Sequence, residues 1–499
     1  MESKQKTYTA KLEDFHYPRM TALKSKCNQL RQSAMNKGMQ WLQKKSDESV
    51  DNPYLHGIYA PTEEVERTQF QIQGQIPEQL TGILLRIGPN PIHVENPALH
   101  HWFSGEGMIH GLKIEHGQVQ WFKSKYVATD TVQKEKKQKL KSGFRRGPGD
   151  IVNTNAFYFA GKIWAVIEAG TFPVCLDLNL NTERHQLFNS DADLPFTAHP
   201  HEELATGNRH AICYDALDQK HLYYEVLDPQ GQLIHLAKIP VEHGPMVHDC
   251  AITEHEILVF DFPVTFSKKQ VMRGNNMPYA WNPQHPARVG VLPLYGQANE
   301  VKWHAVGEDA FVFHTANAYR DAQDQIVLDV IVHDRMFDQS KQGPFEQQKT
   351  QLERWLIEPQ STQVQRQVLD SSVQEFPRID ERFIGQDCRY IYAVSYDVQS
   401  MMHPNQLYIH DLKSNQKTSF AYGDEWITGE VIFIAASQNA PEGVGYLVSY
   451  VHHVDALASK VVILKVNGLT VQPQAEIDLG VHIPLGFHCN WADLSELPK

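Results

Sequence analysis

Most of this chain is written in short apolar runs that stop at turn residues. From about residue 65 onward the runs GLKIEHGQVQWFKSKYV, HLYYEVLDPQGQLIHLAKIPV, EILVFDFPV, QIVLDVIVHD, YIYAVSYDV, YLVSYV and KVVILKVNG carry β-branched and aromatic residues in strand-length blocks. Gly-containing turns separate several of them, which predicts hairpins. Long helical periodicity is scarce; residues 135–147 and 349–356 read as loops or short helices. Many short antiparallel strands in one chain of 499 residues must bury their faces in a sandwich array or in a propeller. No fixed-period repeat is visible, so strand content alone leaves both folds open.

Residues 1–50 read differently. Leu23, Cys27, Leu30 and Ala34 recur at helical spacing, Trp41 and Leu42 follow, and lysines lie between them. This predicts an N-terminal helical extension over 1–50 ahead of a β domain over 51–499. Its apolar stripe is expected to face that domain, as such stripes usually do, rather than a membrane.

Composition removes some functions. With 46 basic against 59 acidic residues the net charge is −13, which argues against a nucleic-acid partner. The 6 cysteines form no CxxC pair, which suits a reducing compartment. The N-terminus has no apolar signal core, and no run reaches the ~20 apolar residues of a spanning helix. The expectation is a cytoplasmic protein whose membrane contact, if any, is peripheral.

The 26 histidines are the remaining chemistry. His201-Glu202 begins like a zinc-protease helix, but Ala205 stands where the second histidine is required. His453-Val454-Asp455 has an HxD spacing that would suit non-haem iron, but three-residue matches arise easily in a histidine-rich chain. Gly105-Glu106-Gly107 reaches His110 where a dinucleotide loop needs glycine. Four other histidines share one context, the edge of an apolar or strand-like run: His199 in FTAHPH, His248 in GPMVHDCAIT, His314 in VFHTANAY and His488 in IPLGFHCNW. Their separations fit ligands supplied by different blades of a propeller. Taken singly, each reads as an ordinary structural histidine.

The segment GILLRIGPNPIHVENPALHHWFSGEGMIHGLKI resembles the opening of carotenoid cleavage oxygenases. Gly88-Pro89-Asn90-Pro91 is followed by Trp102-Phe103-Ser104-Gly105-Glu106-Gly107-Met108-Ile109-His110. Similar wording continues in NTNAFYFAGKIWAVIEAG, in the four histidine contexts, in EFPRID and in GEVIFIAAS. The resemblance runs from residue 65 to 491. It implies an all-β fold, a seven-bladed β-propeller with a helical and loop cap over an axial iron site. It implies one Fe(II) per chain, held by His199, His248, His314 and His488. Glu168, Glu375 and Glu430 are expected behind His248, His314 and His488, with His199 unaccompanied. Thr154 matches a threonine that crowds an open iron position. Ser104, Glu106 and Cys489 depart from the usual pattern without removing a ligand, and Glu106, Asp249 and His110 are expected to be structural.

The implied activity is cleavage of a conjugated C=C bond of a carotenoid or apocarotenoid with O₂, giving two carbonyl products. Stilbene or phenylpropenoid cleavage and isomerase-hydrolase chemistry use the same scaffold, and a non-catalytic propeller is the alternative outside enzymes. The stilbene branch grips a phenol with a tyrosine and a lysine. Ala128 falls where that lysine aligns, with Lys123 and Lys125 nearby, which favours an apolar polyene.

Overall fold

The computed structural model describes residues 16–46, 49–307, 309–338, 340, 342–343, 349–395 and 405–495. Seven sheets of four or more strands, antiparallel except where Ser142–Gly143 pairs parallel with Thr182–His185, follow one another along the chain, a seven-bladed β-propeller. Blade 1 contains Gly82–Pro89, Gly107–Glu115 and Gln118–Tyr126. Blades 2 to 6 start at Asn155, His201, Ala251, Thr315 and Gln374, and blade 7 is built around Val444–His453. In blades 2 to 6 the first strand in sequence lies at one edge of its sheet. The strands that start at Asn155, His201, Thr315 and Gln374 line an axial cavity, as does Asp249 just before the blade-4 strand, so these strands face the axis.

The ring is closed by both ends of the chain. The C-terminal strand Cys489–Asp493 pairs with Gly82–Pro89 and becomes the innermost strand of blade 1. Near the N-terminus, Val65–Arg67 adds to the outer edge of blade 1 and Gln71–Gly74 to the outer edge of blade 7. Closure removes the exposed inner edges that an open sheet of this size would present.

The apolar runs are long because each blade is packed on both faces. Ile326–His333 is buried along its whole length, and separate clusters fill the joints between blades. Ile83, Ile109 and Val174 join blades 1 and 2; Leu84, Tyr450 and Ile463 join blades 7 and 1. Each such aliphatic side chain contributes about 1.5–3 kcal/mol when fully buried. Residues 349–356, read as a loop or short helix, are instead the third strand of blade 5, Thr350–Ile357. Burial alternates along most of it, and the period is hidden because Glu353 is buried beside Leu352, where the ladder to the next strand shifts register.

The N-terminal helix spans Ala22–Lys44, capped by the Thr21 side chain. It lies on the propeller, but with the opposite face to the one expected. Ser25, Gln32 and Gln43 are buried. Gln32 donates to the carbonyls of Arg146 and Gly149, and Gln43 to that of Gly274. Leu23, Leu30 and Trp41 are 74%, 66% and 54% exposed, and Cys27 and Ala34 are exposed as well. The polar side finds carbonyls that need donors, and that requirement overrides the apolar spacing. Among the described residues no helix is long and apolar enough to cross a membrane. All six cysteines are free thiols.

Candidate metal centre

His199, His248 and His314 stand one to three residues before the first strands of blades 3, 4 and 5, and His488 directly before the inner strand of blade 1. Each therefore enters the axis at the same level. Their ring nitrogens converge: Nε2 of His199 and His248 are 3.1 Å apart, those of His248 and His314 3.2 Å, and those of His314 and His488 3.2 Å. Five of the six ring-centroid separations run from 4.3 to 5.3 Å, and the sixth, His248 to His488, is 6.0 Å. A tetrahedral set would space all six pairs alike. Here His248 and His488 stand farther apart than the other five pairs, so the four rings do not form a regular tetrahedron.

The three expected glutamates stand behind these rings. His248 Nδ1 donates to Glu168 at 3.0 Å, His314 Nδ1 to Glu375 at 2.6 Å and His488 Nδ1 to Glu430 at 3.3 Å. Among the described residues no carboxylate accepts a hydrogen bond from His199; Asp249 acts on it through its charge alone. With the proton fixed on Nδ1, the Nε2 lone pairs of His248, His314 and His488 point at one another. Converging lone pairs repel unless a cation lies between them, so the donor set fits a metal ion.

Backbone strain helps to aim the carboxylates. Phe376 (φ 53°) and Ala169 (φ 66°) are non-glycine residues in the left-handed region, each directly after one of the glutamates. At Phe376 the ladder between blade-6 strands shifts register, and its N–H closes onto Glu375 at 2.6 Å. The bulge turns Glu375 toward His314 and lays the Phe376 ring on the His314 ring, centroids 5.1 Å apart.

Electrostatics separate the ligands. Burial, and then the neighbouring rings, hold His199 and His488 well below the ordinary histidine pKa. Burial also pulls on His314, but the Glu375 carboxylate outweighs it and leaves His314 raised. Burial alone would push Glu375 up; His314 and His333 hold it well below the usual carboxylate range. Burial raises Glu430 against the pull of Arg378.

Two residues in this network were not singled out in the sequence. His333 donates to the second oxygen of Glu375 at 2.7 Å and meets Thr350 through its other nitrogen. Arg378 lies 3.3 Å from Glu430. His333 ends an apolar strand and Arg378 follows a proline, so neither carries a local signal. Elsewhere the sequence readings separate cleanly. His453 pairs with Glu425 at the surface, and His201 is held by Asp249, which also accepts from Thr315. Glu106 accepts the Ile92 N–H, and His110 meets Ser124. Thr154 lies beside the rings, in a cleft it shares with Trp102, Phe103, Phe313, Phe376 and Phe487. On the other side of the rings lies the axial cavity, lined by His201, Asp249, Arg378 and Asp380 among others.

The family model described as retinal pigment epithelial membrane protein matches residues 59–493. The chain belongs to this family. It is 31% identical to a carotenoid cleavage oxygenase of Mycobacterium tuberculosis over 491 residues, covering 88% of this chain and 97% of the relative. A lignostilbene dioxygenase of Pseudomonas brassicacearum superposes with a TM-score of 0.78 at 26% identity, covering 90% of this chain and 100% of that one. A cobalt-substituted apocarotenoid oxygenase of Synechocystis superposes at 0.76 with 25% identity, covering 91% and 98%. Members of this family thus bear oxygenase names, and this carotenoid cleavage oxygenase family member is an oxygenase by descent.

Proposed function

We propose that this chain is a non-haem iron(II) dioxygenase that cleaves a conjugated C=C bond of a carotenoid or apocarotenoid with O₂. One iron per chain would be held by His199, His248, His314 and His488. Bound Fe(II) would supply activation of O₂ at positions the four imidazoles leave free. The reaction balances without a reductant, because one C=C bond and one O₂ become two C=O groups.

The observation that carries this reading is the aromatic cleft against the histidine rings. Trp102, Phe103, Phe313, Phe376 and Phe487 supply apolar wall on one side of the centre. Apart from the histidines, their glutamates and the indole of Trp102, Thr154 is the only polar residue lining it among the described residues. A polyene matches such a wall, and the wall excludes water from the reacting bond. We assign Thr154 to crowding the open position. Glu168, Glu375 and Glu430 are all engaged by histidines, so the cleft offers no free acid or base. Lys123 and Lys125 reach Asn179 instead of the cleft, and so offer no grip for a phenol.

The helix Ala22–Lys44 supports delivery from a lipid surface. Residues 16–46 hold no acidic residue; Arg19, Lys24 and Lys44 pair with Asp191, Asp193 and Glu95, and Lys26, Arg31, Lys37 and Lys45 are exposed. The outward face adds Leu23, Leu30 and Trp41. Its C-terminal end packs on Asn96 and Asn276, and Asn276 reaches Ser104 beside the cleft wall. A basic, apolar face of this kind suits an anionic bilayer.

The test is anaerobic iron loading, metal analysis, then aerobic incubation with carotenoids, apocarotenals, hydroxystilbenes and isoeugenol. Two carbonyl fragments from a polyene are expected. A single isomerised alcohol would defeat the proposed cleavage, and cleavage of phenolic substrates alone would defeat the proposed substrate class.

A further inference from the structure

Arg86 is among the largest side chains buried completely, at 1% exposure. It lies in Gly82–Pro89 and faces His110 across one strand pair and Cys489 across the other. Of its nitrogens only Nη2 is bonded, to the Pro484 carbonyl at 2.6 Å. Nε and Nη1 are buried without a partner. Burial draws the guanidinium down to about 10, so it remains a cation at neutral pH. No carboxylate acts on it. Its charged or polar neighbours are the Cys489 thiol and the Tyr450 ring, whose centroid is 5.9 Å away. The Tyr450 hydroxyl is spent on the Leu84 carbonyl.

The rest of the layer between blades 7 and 1 supplies three imidazoles, each with one N–H when neutral, and no acid among the described residues. His110 and His452 are buried, each tied through Nδ1 to a serine, Ser124 and Ser459. His452 Nε2 has no partner, and neither nitrogen of His482 has one. Backbone groups of Ile483 and Ala60 act on the His452 and His482 rings and offset part of the effect of burial. Beside Nε the absent side chain of Gly429 leaves one small gap: a Cβ there would stand 3.9 Å from that nitrogen and 3.5 Å from the Tyr450 carbonyl oxygen.

A buried, unpaired guanidinium is among the costliest groups a fold can hold, and a neighbouring opposite charge is the general remedy. We infer that the layer between blades 7 and 1 is a binding site for a small monovalent anion of halide type, held by Arg86 Nε and Nη1 and the His452 ring, with His482 at its edge. Water could satisfy the N–H groups but not the charge. The site touches the catalytic region through one loop. Pro484 and Gly486 lie against Arg86, and a Cβ on Gly486 would meet Nη2 at 2.7 Å. The same loop carries Phe487 and His488, so the anion would steady the fold where that histidine is supplied. This inference is independent of the substrate.

The test uses the full chain. Crystals soaked in sodium bromide are measured at the bromine edge. Thermal unfolding is followed in chloride, bromide and gluconate at constant ionic strength. An anomalous peak within hydrogen-bond distance of Arg86 is expected, with melting a few degrees higher in halide than in gluconate. Arg86→Met should abolish the halide shift. If that variant does not fold, His452→Phe keeps the guanidinium, removes one donor and should shrink the shift. Identical melting in all three salts with no bromide peak overturns the inference. A peak without any effect on melting marks an adventitious ion only, and overturns it too.

Discussion

Glu375→Gln is a sharp perturbation of the histidine centre, because the structure fixes what the new amide must do. The carboxylate accepts three N–H groups: Oε2 takes His314 Nδ1 and Phe376 N, both at 2.6 Å, and Oε1 takes His333 Nε2 at 2.7 Å. A glutamine has one oxygen for these donors. It can keep His314 and Phe376 only by turning its NH₂ toward His333. His333 can adapt by moving its proton to Nδ1, where the Thr350 hydroxyl accepts it. The fold should therefore survive, and the loss falls on metal binding. Replacing a carboxylate behind a ligating histidine costs roughly 10–100-fold in affinity, about 1.4–2.7 kcal/mol. The sign of its pH dependence follows from the same pair. In the metal-free protein Glu375 raises the pKa of His314. That stabilisation is full below the unfolded histidine value and is lost as pH rises through the folded one. The depressed Glu375 contributes above the ordinary carboxylate value and loses its share as pH falls through its folded pKa. Between these limits a proton on His314 competes with the metal in the wild type, and less so in the variant. The deficit of Glu375→Gln should thus be small near about pH 6 and full near about pH 8. Anaerobic cobalt(II) titration against a competing chelator reads this directly. Equal affinities at the higher pH, or a deficit that grows as pH falls, would refute the coupling.

Three further outcomes test other parts of the site. His248→Ala should leave a folded chain that no longer retains metal in stoichiometric amount, because it removes the ring between its two nearest partners; metal analysis after loading checks this. Phe103→Ala opens the cleft wall and should lower the melting temperature, since a buried phenylalanine removed to alanine costs about 3–5 kcal/mol, less here because Phe103 is only half-buried. Its KM for a polyene should rise more than kcat falls. Replacing Leu23, Leu30 and Trp41 together by serine should leave stability nearly unchanged, since all three are exposed, and should weaken sedimentation with anionic vesicles. Unaltered sedimentation would remove the lipid-facing role of the helix.

What could be read from the sequence was whatever depends on neighbours along the chain. The hairpin Gly107–Glu115 to Gln118–Tyr126 is announced by its own turn and its own β-branched residues. The helix Ala22–Lys44 was legible as a helix but not in its orientation, because its partners are carbonyls of residues 146–149 and 274, far away in sequence. His333 and Arg86 were illegible for the same reason. Both sit in runs that read as core, and only the packing of one blade on the next reveals what they face.

The histidine spacing shows how a regular repeat can be present and still be hidden. His199 to His248 is 49 residues and His248 to His314 is 66, each one blade. The second step is longer because the hairpin Val264–Phe266 to Tyr279–Trp281 is inserted between blade-4 strands. His314 to His488 is 174 residues, which is three blades. The two intermediate blades are not silent at this level. Glu375 comes 61 residues after His314, and Glu430 precedes His488 by 58. Thr154 occupies the corresponding place before the first strand of blade 2. Each of the seven blades thus delivers one side chain to the axis near the start of its innermost strand. A search for a repeated residue type fails, because the type changes from threonine to histidine to glutamate as the ring is traversed. Position is what repeats. A ligand set assembled this way is insensitive to insertions within a blade, which lengthen one step without moving the entry point of the next inner strand.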